Sequence, residues 1–405
     1  MPPRVFQMPP PHPNPRPSGP VADHAGLVEA LRDEAVRLGF SRMGVASAAA
    51  ADRDPRVHAA FRAWLEQGLA GPMTDWLVGH EFLRHNPDGM LQGVRSVVML
   101  ATDHPLPPPG EMPPGEGRIA AYAGGDDYHG LLRHRVNLLG AWLEARAPGC
   151  RTRGVVDSAP FSEREFGWLA GLGWFGKNCL LIDPSAGSFF LLTALLTDLV
   201  LPVAEPIRVD HCGTCTACLE ACPTQAFVAP RVLDAGKCIS GITIEQRGPV
   251  AEPLRPSVGE WVFGCDVCQQ VCPWNRHAPG SGEPTLQPRA GAGGLPLGEL
   301  LSLDEAGFRH RFRGSALLRA KRSGIARSAA IALGNRPDSG AAEALIAALD
   351  DDDPVVRGAV AWALGRWRCA GGELGAGAEA ALAARLRSED DIGVRREIDA
   401  ALAAG

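Results

Sequence analysis

Eight of the eleven cysteines in this 405-residue chain fall between Cys212 and Cys272. The first group reads Cys212-x2-Cys215-x2-Cys218-x3-Cys222-Pro223, and the second reads Cys265-x2-Cys268-x3-Cys272-Pro273, with Cys238 alone between them. The first spacing is the bacterial ferredoxin run, in which three close thiolates hold one 4Fe–4S cube and the fourth serves its neighbour. The second run lacks one internal cysteine, and Cys238 supplies the replacement. On this spacing Cys212, Cys215, Cys218 and Cys272 hold one cluster, while Cys222, Cys238, Cys265 and Cys268 hold the other. Structural zinc takes four ligands per ion and has no use for the x2-x2-x3-Cys-Pro pattern. Disulfides need an oxidising compartment, and no export signal is visible. Electrons therefore pass through the protein, and their destination must be sought elsewhere in the chain.

The densest polar punctuation outside the cysteines is GVVDSAPFSEREFGWLAGLGWFGKN at 154–178. Asp157 stands where an apolar strand ends, the edge at which α/β sheets place ligands. It reads either as a functional carboxylate or as a helix cap. Ser162 and Glu165 already offer a Ser-x-x-Glu capping box for the next helix, which leaves Asp157 spare. Gly171, Gly173 and Gly176 around Trp174 make a tight turn or let the backbone approach a large planar ligand. Lys177 and Asn178 follow as polar contacts to whatever is bound. No G-x-G-x-x-G follows a strand and no Walker lysine appears, so a nucleotide is not the indicated cofactor.

The elements that position these residues read as alternating helices and strands. Helical spacing covers Leu27 to Leu38, roughly 55–69, Trp76 to Leu83 and 127–147. Strands are expected at 43–46, 96–101, 118–123, 154–156, 179–183 and 188–197. Residues 22–205 thus form an α/β (α+β) domain. Residues 1–21, with nine prolines in the first twenty, read as a disordered tail. A ferredoxin-like two-cluster module follows at 206–280, then a Pro/Gly linker and an Ala-rich helical region to 405. There Ala332-Leu333-Gly334 and Ala363-Leu364-Gly365 lie 31 residues apart, like the helical pairs of HEAT solenoids. Phe308 and Phe312 sit at core spacing. The net charge of −6 excludes a general polyanion binder. Residues 306–336 nevertheless hold eight Lys and Arg and no acid: either a solvated face or a grip on phosphates. No run approaches the roughly 20 apolar residues of a membrane helix, and ligating cysteines suit a reducing cytoplasm. Cys150, Cys179 and Cys369 read as buried thiols.

Four features together resemble the epoxyqueuosine reductase family. They are VDSAPFSEREFGWLAGLGWFGKN at 156–178, the eight-cysteine pattern, CISGITIEQRG at 238–248 and GSALLRAKRSGIARSAAIALGN at 314–335. The chain departs from the family pattern at Gly241, where an aromatic is usual, and at Ser328, where Asn is common. The resemblance implies reduction of the epoxide on the modified wobble base of tRNA, the last step of queuosine synthesis. It implies a cobalamin held by residues 22–205 next to the first cluster, with Arg84, Lys177, Asn178, Ser240 and Gln246 as contacts. Asp157 matches the family's proton donor, with burial beside the corrin expected to raise its pKa. The basic stretch, notably Arg319, Lys321, Arg322 and Arg327, would grip the tRNA. A low-potential donor of flavodoxin or ferredoxin type, a cytoplasmic location and a monomeric state complete the expectation. Rival readings are a reductive dehalogenase, a ferredoxin fused to a scaffold, and a HEAT-type interaction protein.

Overall fold

The computed structural model describes residues 24–49, 54–108, 110–289 and 294–403. The Pro-rich tail lies outside the described residues. Val97 to Ala101 form the centre of strand Ser96–Asp103, and all five are 0% exposed. Successive side chains leave a strand on opposite faces, so an uninterrupted apolar run requires cover on both. Val98 and Leu100 face the helices His24–Arg37 and Tyr128–Arg146, while Val97, Met99 and Ala101 face Phe161, Phe166 and Ala170.

The sheet runs in the order Arg42–Ser47, Ser96–Asp103, Phe190–Thr197, Thr152–Val156, and every neighbouring pair is antiparallel. Alternation of helix and strand gave the four strands of this sheet but not their direction. Phe190–Thr197 returns between two earlier strands, which makes the unit α+β rather than parallel α/β.

The expected strand at 118–123 is shorter and belongs elsewhere. Glu116–Ile119 pairs in parallel with Trp261–Phe263 and antiparallel with Leu295–Pro296. Three distant stretches are thereby stitched into one small sheet. The largest apolar core runs from Ile119 through Ile239 and Phe263 to Ala401, so the C-terminal helices share a core with the cysteine-bearing segment. Phe308 and Phe312 are 2% and 6% exposed and belong to it.

The 31-residue repeat has a packing cause. Gly334 ends helix Lys321–Asn335, where a Cβ would meet the Trp362 ring at 2.5 Å; a Cβ on Gly365, in helix Pro354–Ala370, would meet Ala401 at 2.7 Å. Each glycine lets the next helix close on its own. Asp353 caps helix Pro354–Ala370 by accepting from the Val355 amide, with Pro354 at the first helical position. Among the described residues no helix is long and apolar enough to cross a membrane.

Candidate active site and cluster module

Asp157 directly follows strand Thr152–Val156, and its φ is 23°. A non-glycine residue at positive φ persists only where its surroundings hold it. Here the start of helix Tyr128–Arg146 does so. The Tyr128 hydroxyl donates to Asp157 Oδ2 at 2.9 Å, and His129 Nε2 lies 3.1 Å from the same oxygen. On the far side of the ring, His129 Nδ1 is 2.6 Å from Asp127 Oδ1. Asp127 is also the helix N-cap and accepts from the His129 amide. One carboxylate thus starts the helix and fixes the imidazole. The sequence reading found Asp157 but not Asp127, Tyr128 or His129; Asp-Tyr-His at a helix start looks like an ordinary cap.

These contacts lower the titration of Asp157, whereas the expected rise depended on burial beside a corrin. Burial opposes ionisation of Asp157, but hydrogen bonds from His129 and Tyr128, with the charges of His129 and Arg319, hold its carboxyl below the ordinary value. Burial also disfavours the imidazolium of His129, yet Asp127 and Asp157 push it up to about 9. The proton of this group therefore rests on the ring at neutral pH. Burial and the Asp157 charge push Tyr128 up, which keeps it a donor. The Asp157 side chain remains 60% accessible, so a ligand can reach it.

The residues that follow carry further polar groups. Ser162 was expected to open a capping box, but its hydroxyl donates to the Arg84 carbonyl at 3.1 Å and no side-chain cap forms. Arg84 Nη1 donates to the Phe161 carbonyl at 3.2 Å, while its Nε is buried without a partner. Glu163 Oε1 is likewise buried and unpaired, and burial pushes this carboxyl up to about 8, with the Asp157 charge adding to the rise. Asn178 is 4% exposed and its Nδ2 has no partner. Buried polar atoms are rarely left unpaired, so three in this neighbourhood fit a large ligand bearing amide groups, as a corrin does.

The other proposed contacts are placed differently. Lys177 Nζ donates to the carbonyls of Gly213 and Cys215 at 2.7 and 2.8 Å, so it braces the cysteine loop. Gln246 donates to the Pro249 carbonyl and closes its own turn. Burial pushes the Cys238 thiol up, partly offset by the Gly241 and Ser240 amides and the Ser240 side chain that point at its sulfur. GLGWFG at 171–176 follows a helix and enters strand Trp174–Phe175. A Cβ on Gly173 would strike the Ile182 carbonyl at 2.5 Å, so hairpin packing, not ligand approach, requires that glycine. A Cβ on Gly241 already lies 2.2 Å from the Ala235 carbonyl, which explains why no aromatic stands there. Ser328 is buried with an unpaired hydroxyl.

The cysteines fall into two neighbourhoods. Cys218 interacts electrostatically with Cys272, Cys212 and Cys215, and Cys265 with Cys238 and Cys222; Cys268 faces Cys265 and Cys238 and, across the two sets, Cys218. Among the described residues no three ligand-type side chains converge as one ion would require. A cube offers its irons at separated corners, so wider spacing suits it. Cys215 is exposed, whereas Cys238 is within electrostatic reach of Cys179, next to Asn178. Trp174, His211 and Trp274 wall the first neighbourhood, with ring centroids 4.8–5.7 Å apart. Of the remaining thiols Cys150 is buried, Cys179 half-buried and Cys369 exposed, against the expectation for the last.

The basic stretch is less free than its sequence suggests. Arg327 is 1% exposed and donates to the carbonyls of Ile242, Gln246 and Gly248. It is a clamp on the 242–248 turn and cannot reach a nucleic acid. Arg322 pairs with Asp351 at 2.7 Å, largely out of solvent. Arg319 pairs with Glu245 yet stays 57% accessible beside Asp157, and Lys321 is exposed at φ 68°. The groove bounded by Gly115, Glu299, Arg311 and Asp338, about 680 Å³, lies apart and holds no unpaired buried polar atom among the described residues.

Comparison with known proteins gives this geometry a family. The 4Fe–4S double cluster binding domain matches residues 211–275, the epoxyqueuosine reductase QueG domain matches 84–158, and HEAT repeats match 312–403. The epoxyqueuosine reductase of Pseudomonas aeruginosa is 39% identical over 85% of this chain and 95% of its own. That of Escherichia coli is 36% identical over 84% and 89% respectively. An epoxyqueuosine reductase solved with an epoxyqueuosine-modified tRNA-Tyr stem loop superposes with a TM-score of 0.83, at 28% identity over 94% of this chain and 99% of that one. The Bacillus subtilis enzyme, solved with its catalytic aspartate loop swung out of the active site, matches equally well. With its double-cluster module, helical repeats and full-length relatives, the chain belongs to the epoxyqueuosine reductase family.

Proposed function

We propose that the protein reduces epoxyqueuosine to queuosine at the wobble position of tRNA, taking electrons one at a time from a low-potential donor of flavodoxin or ferredoxin type in the cytoplasm. Removing the epoxide oxygen as water consumes two electrons and two protons. Cys212, Cys215, Cys218 and Cys272, of which Cys215 is exposed, would hold a cluster that takes electrons in, and Cys222, Cys238, Cys265 and Cys268 would hold a second that relays them. Cobalamin, when bound, supplies low-valent cobalt that delivers them to the epoxide. Arg84 and Asn178 would hold its polar periphery, and Ser240 would lie between it and Cys238. Asp157 protonates the departing oxygen. Arg319 and Lys321 meet the phosphates of the anticodon loop, whose unstacked bases can turn inward.

The observation that carries the reading is the cluster of unpaired buried groups, Arg84 Nε and Glu163 Oε1, in the electrostatic field of Asp157. The dehalogenase alternative leaves the tRNA-facing cations beside Asp157 without a purpose. The test is a single turnover of reconstituted, corrinoid-loaded protein on an epoxyqueuosine stem loop, read by mass spectrometry. Loss of one oxygen atom per modified base is the expected result; an unaltered base in fully loaded protein would refute it.

A further inference from the structure

From the Asp127–His129–Asp157 chain we infer that His129 is the resident proton source for the reaction, handing its Nε2 proton to Asp157, while Asp127 is the positioning residue that holds the ring. The inference rests on the reductase reading and adds where the proton waits. The geometry is specific. Asp127 Oδ1 at 2.6 Å from Nδ1 fixes the ring orientation and requires a proton on that nitrogen. Nε2 is thereby directed at Asp157 Oδ2, 3.1 Å away, and the Tyr128 ring stacks against the imidazole at 4.2 Å between centroids. The His129 side chain is 25% accessible, enough to recover a proton from water after each transfer.

The step balances simply. The Nε2–H bond breaks as Asp157 Oδ2–H forms, leaving neutral imidazole and a neutral carboxyl. That carboxyl then gives the proton to the leaving epoxide oxygen and returns to its anion. The ionised state of Asp157 at rest thus ceases to be an obstacle to its acting as an acid. The donors around Asp157 oppose a carboxyl that stays protonated unaided.

The charged and titratable neighbours are few. Asp127 and Asp157 face His129. Tyr128 and Tyr122, Arg319 with its partner Glu245, and Glu163 surround Asp157. Of these only Glu163, pushed up to about 8, could serve as a rival reservoir near neutral pH.

The experiment compares wild type, His129→Gln, Asp127→Asn and Glu163→Gln in single-turnover reduction of the stem loop from pH 6 to 10. Cluster absorbance, corrin absorbance and stem-loop affinity are measured on the same samples. In wild type the rate should fall as pH rises through about 9, where the imidazolium is lost. Asp127→Asn should move that limb down by about two units, towards the ordinary histidine value. His129→Gln should lose about 100-fold in rate and the limb with it, with corrin loading and stem-loop affinity retained. A His129→Gln protein with the wild-type rate and limb would overturn the inference, as would loss of the limb in Glu163→Gln alone. Should His129→Gln fail to load its cofactors, an unshifted limb in Asp127→Asn would overturn it instead. Wild type that loads both cofactors and leaves the epoxide intact would overturn the reductase reading, and this inference with it.

Discussion

Asp157 gains its role from a strained backbone and two donors, and each part can be removed separately. Asp157→Asn keeps the shape but cannot carry a proton, so the protein should fold, load clusters and corrin, and lose about 100-fold or more in single-turnover rate. Wild-type activity in that variant would dismiss the carboxyl. The same contacts set a pH dependence of stability. His129 is raised on folding, so its contribution is complete below the ordinary histidine value near 6.5 and is lost as pH rises through about 9. Asp157 is lowered on folding, so its contribution is present above the ordinary carboxylate range and fades as acid protonates it. Denaturation midpoints should fall on the alkaline side in wild type and do so less in His129→Gln. Asp157 was legible in the sequence because a polar residue closing an apolar strand is conspicuous. Its titration was not, since the partners come from a helix start some thirty residues earlier.

At the level of elements, the turn after Cys238 is the piece that joins the cluster module to the helical repeats. It contains a π-helical stretch, Gly241–Glu245, a form that recurs at functional sites. Its carbonyls are gathered by Arg327, a buried cation with no carboxylate among its hydrogen-bond partners. Arg327→Met should leave three carbonyls without that donor and cost roughly 3 kcal/mol in denaturant unfolding of the loaded protein. A cost near zero would mean water replaces the guanidinium. The repeat seam makes a second prediction: Gly334→Val must displace Trp362, for about 2 kcal/mol of destabilisation by the same measurement. Sequence spacing revealed the glycines at 31 residues but not why they recur. It also counted Arg327 as a phosphate ligand, because a linear string records charge and not direction.

Across the whole molecule, cations that are segregated along the chain are dispersed among acids in space. Glu299, Glu245, Asp351 and Glu260 arrive from other segments to pair with Arg311, Arg319, Arg322 and Arg336, and Glu305 pairs with Arg309 one turn along its own helix. Among the exposed cations Arg319 stands in electrostatic reach of Asp157, with Lys321 two residues on. Reversing both to Glu should weaken stem-loop binding and reduce the salt slope of log affinity by about two, with cluster absorbance unchanged; an unaltered slope would remove them from the interface. The order of modules was readable because cysteine spacing, helical repeats and strand alternation each carry a local signature. The antiparallel sheet and the shared small sheet of 116–119, 261–263 and 295–296 carry none, since strand pairing is settled by distant partners. The account stands on two clusters that feed a corrin beside Asp157. It is tested most directly by assaying iron, acid-labile sulfide and cobalt on one anaerobically reconstituted, corrinoid-exposed sample after gel filtration. About eight irons, eight sulfides and one cobalt per chain are predicted; a sample with its full iron and no cobalt would contradict it.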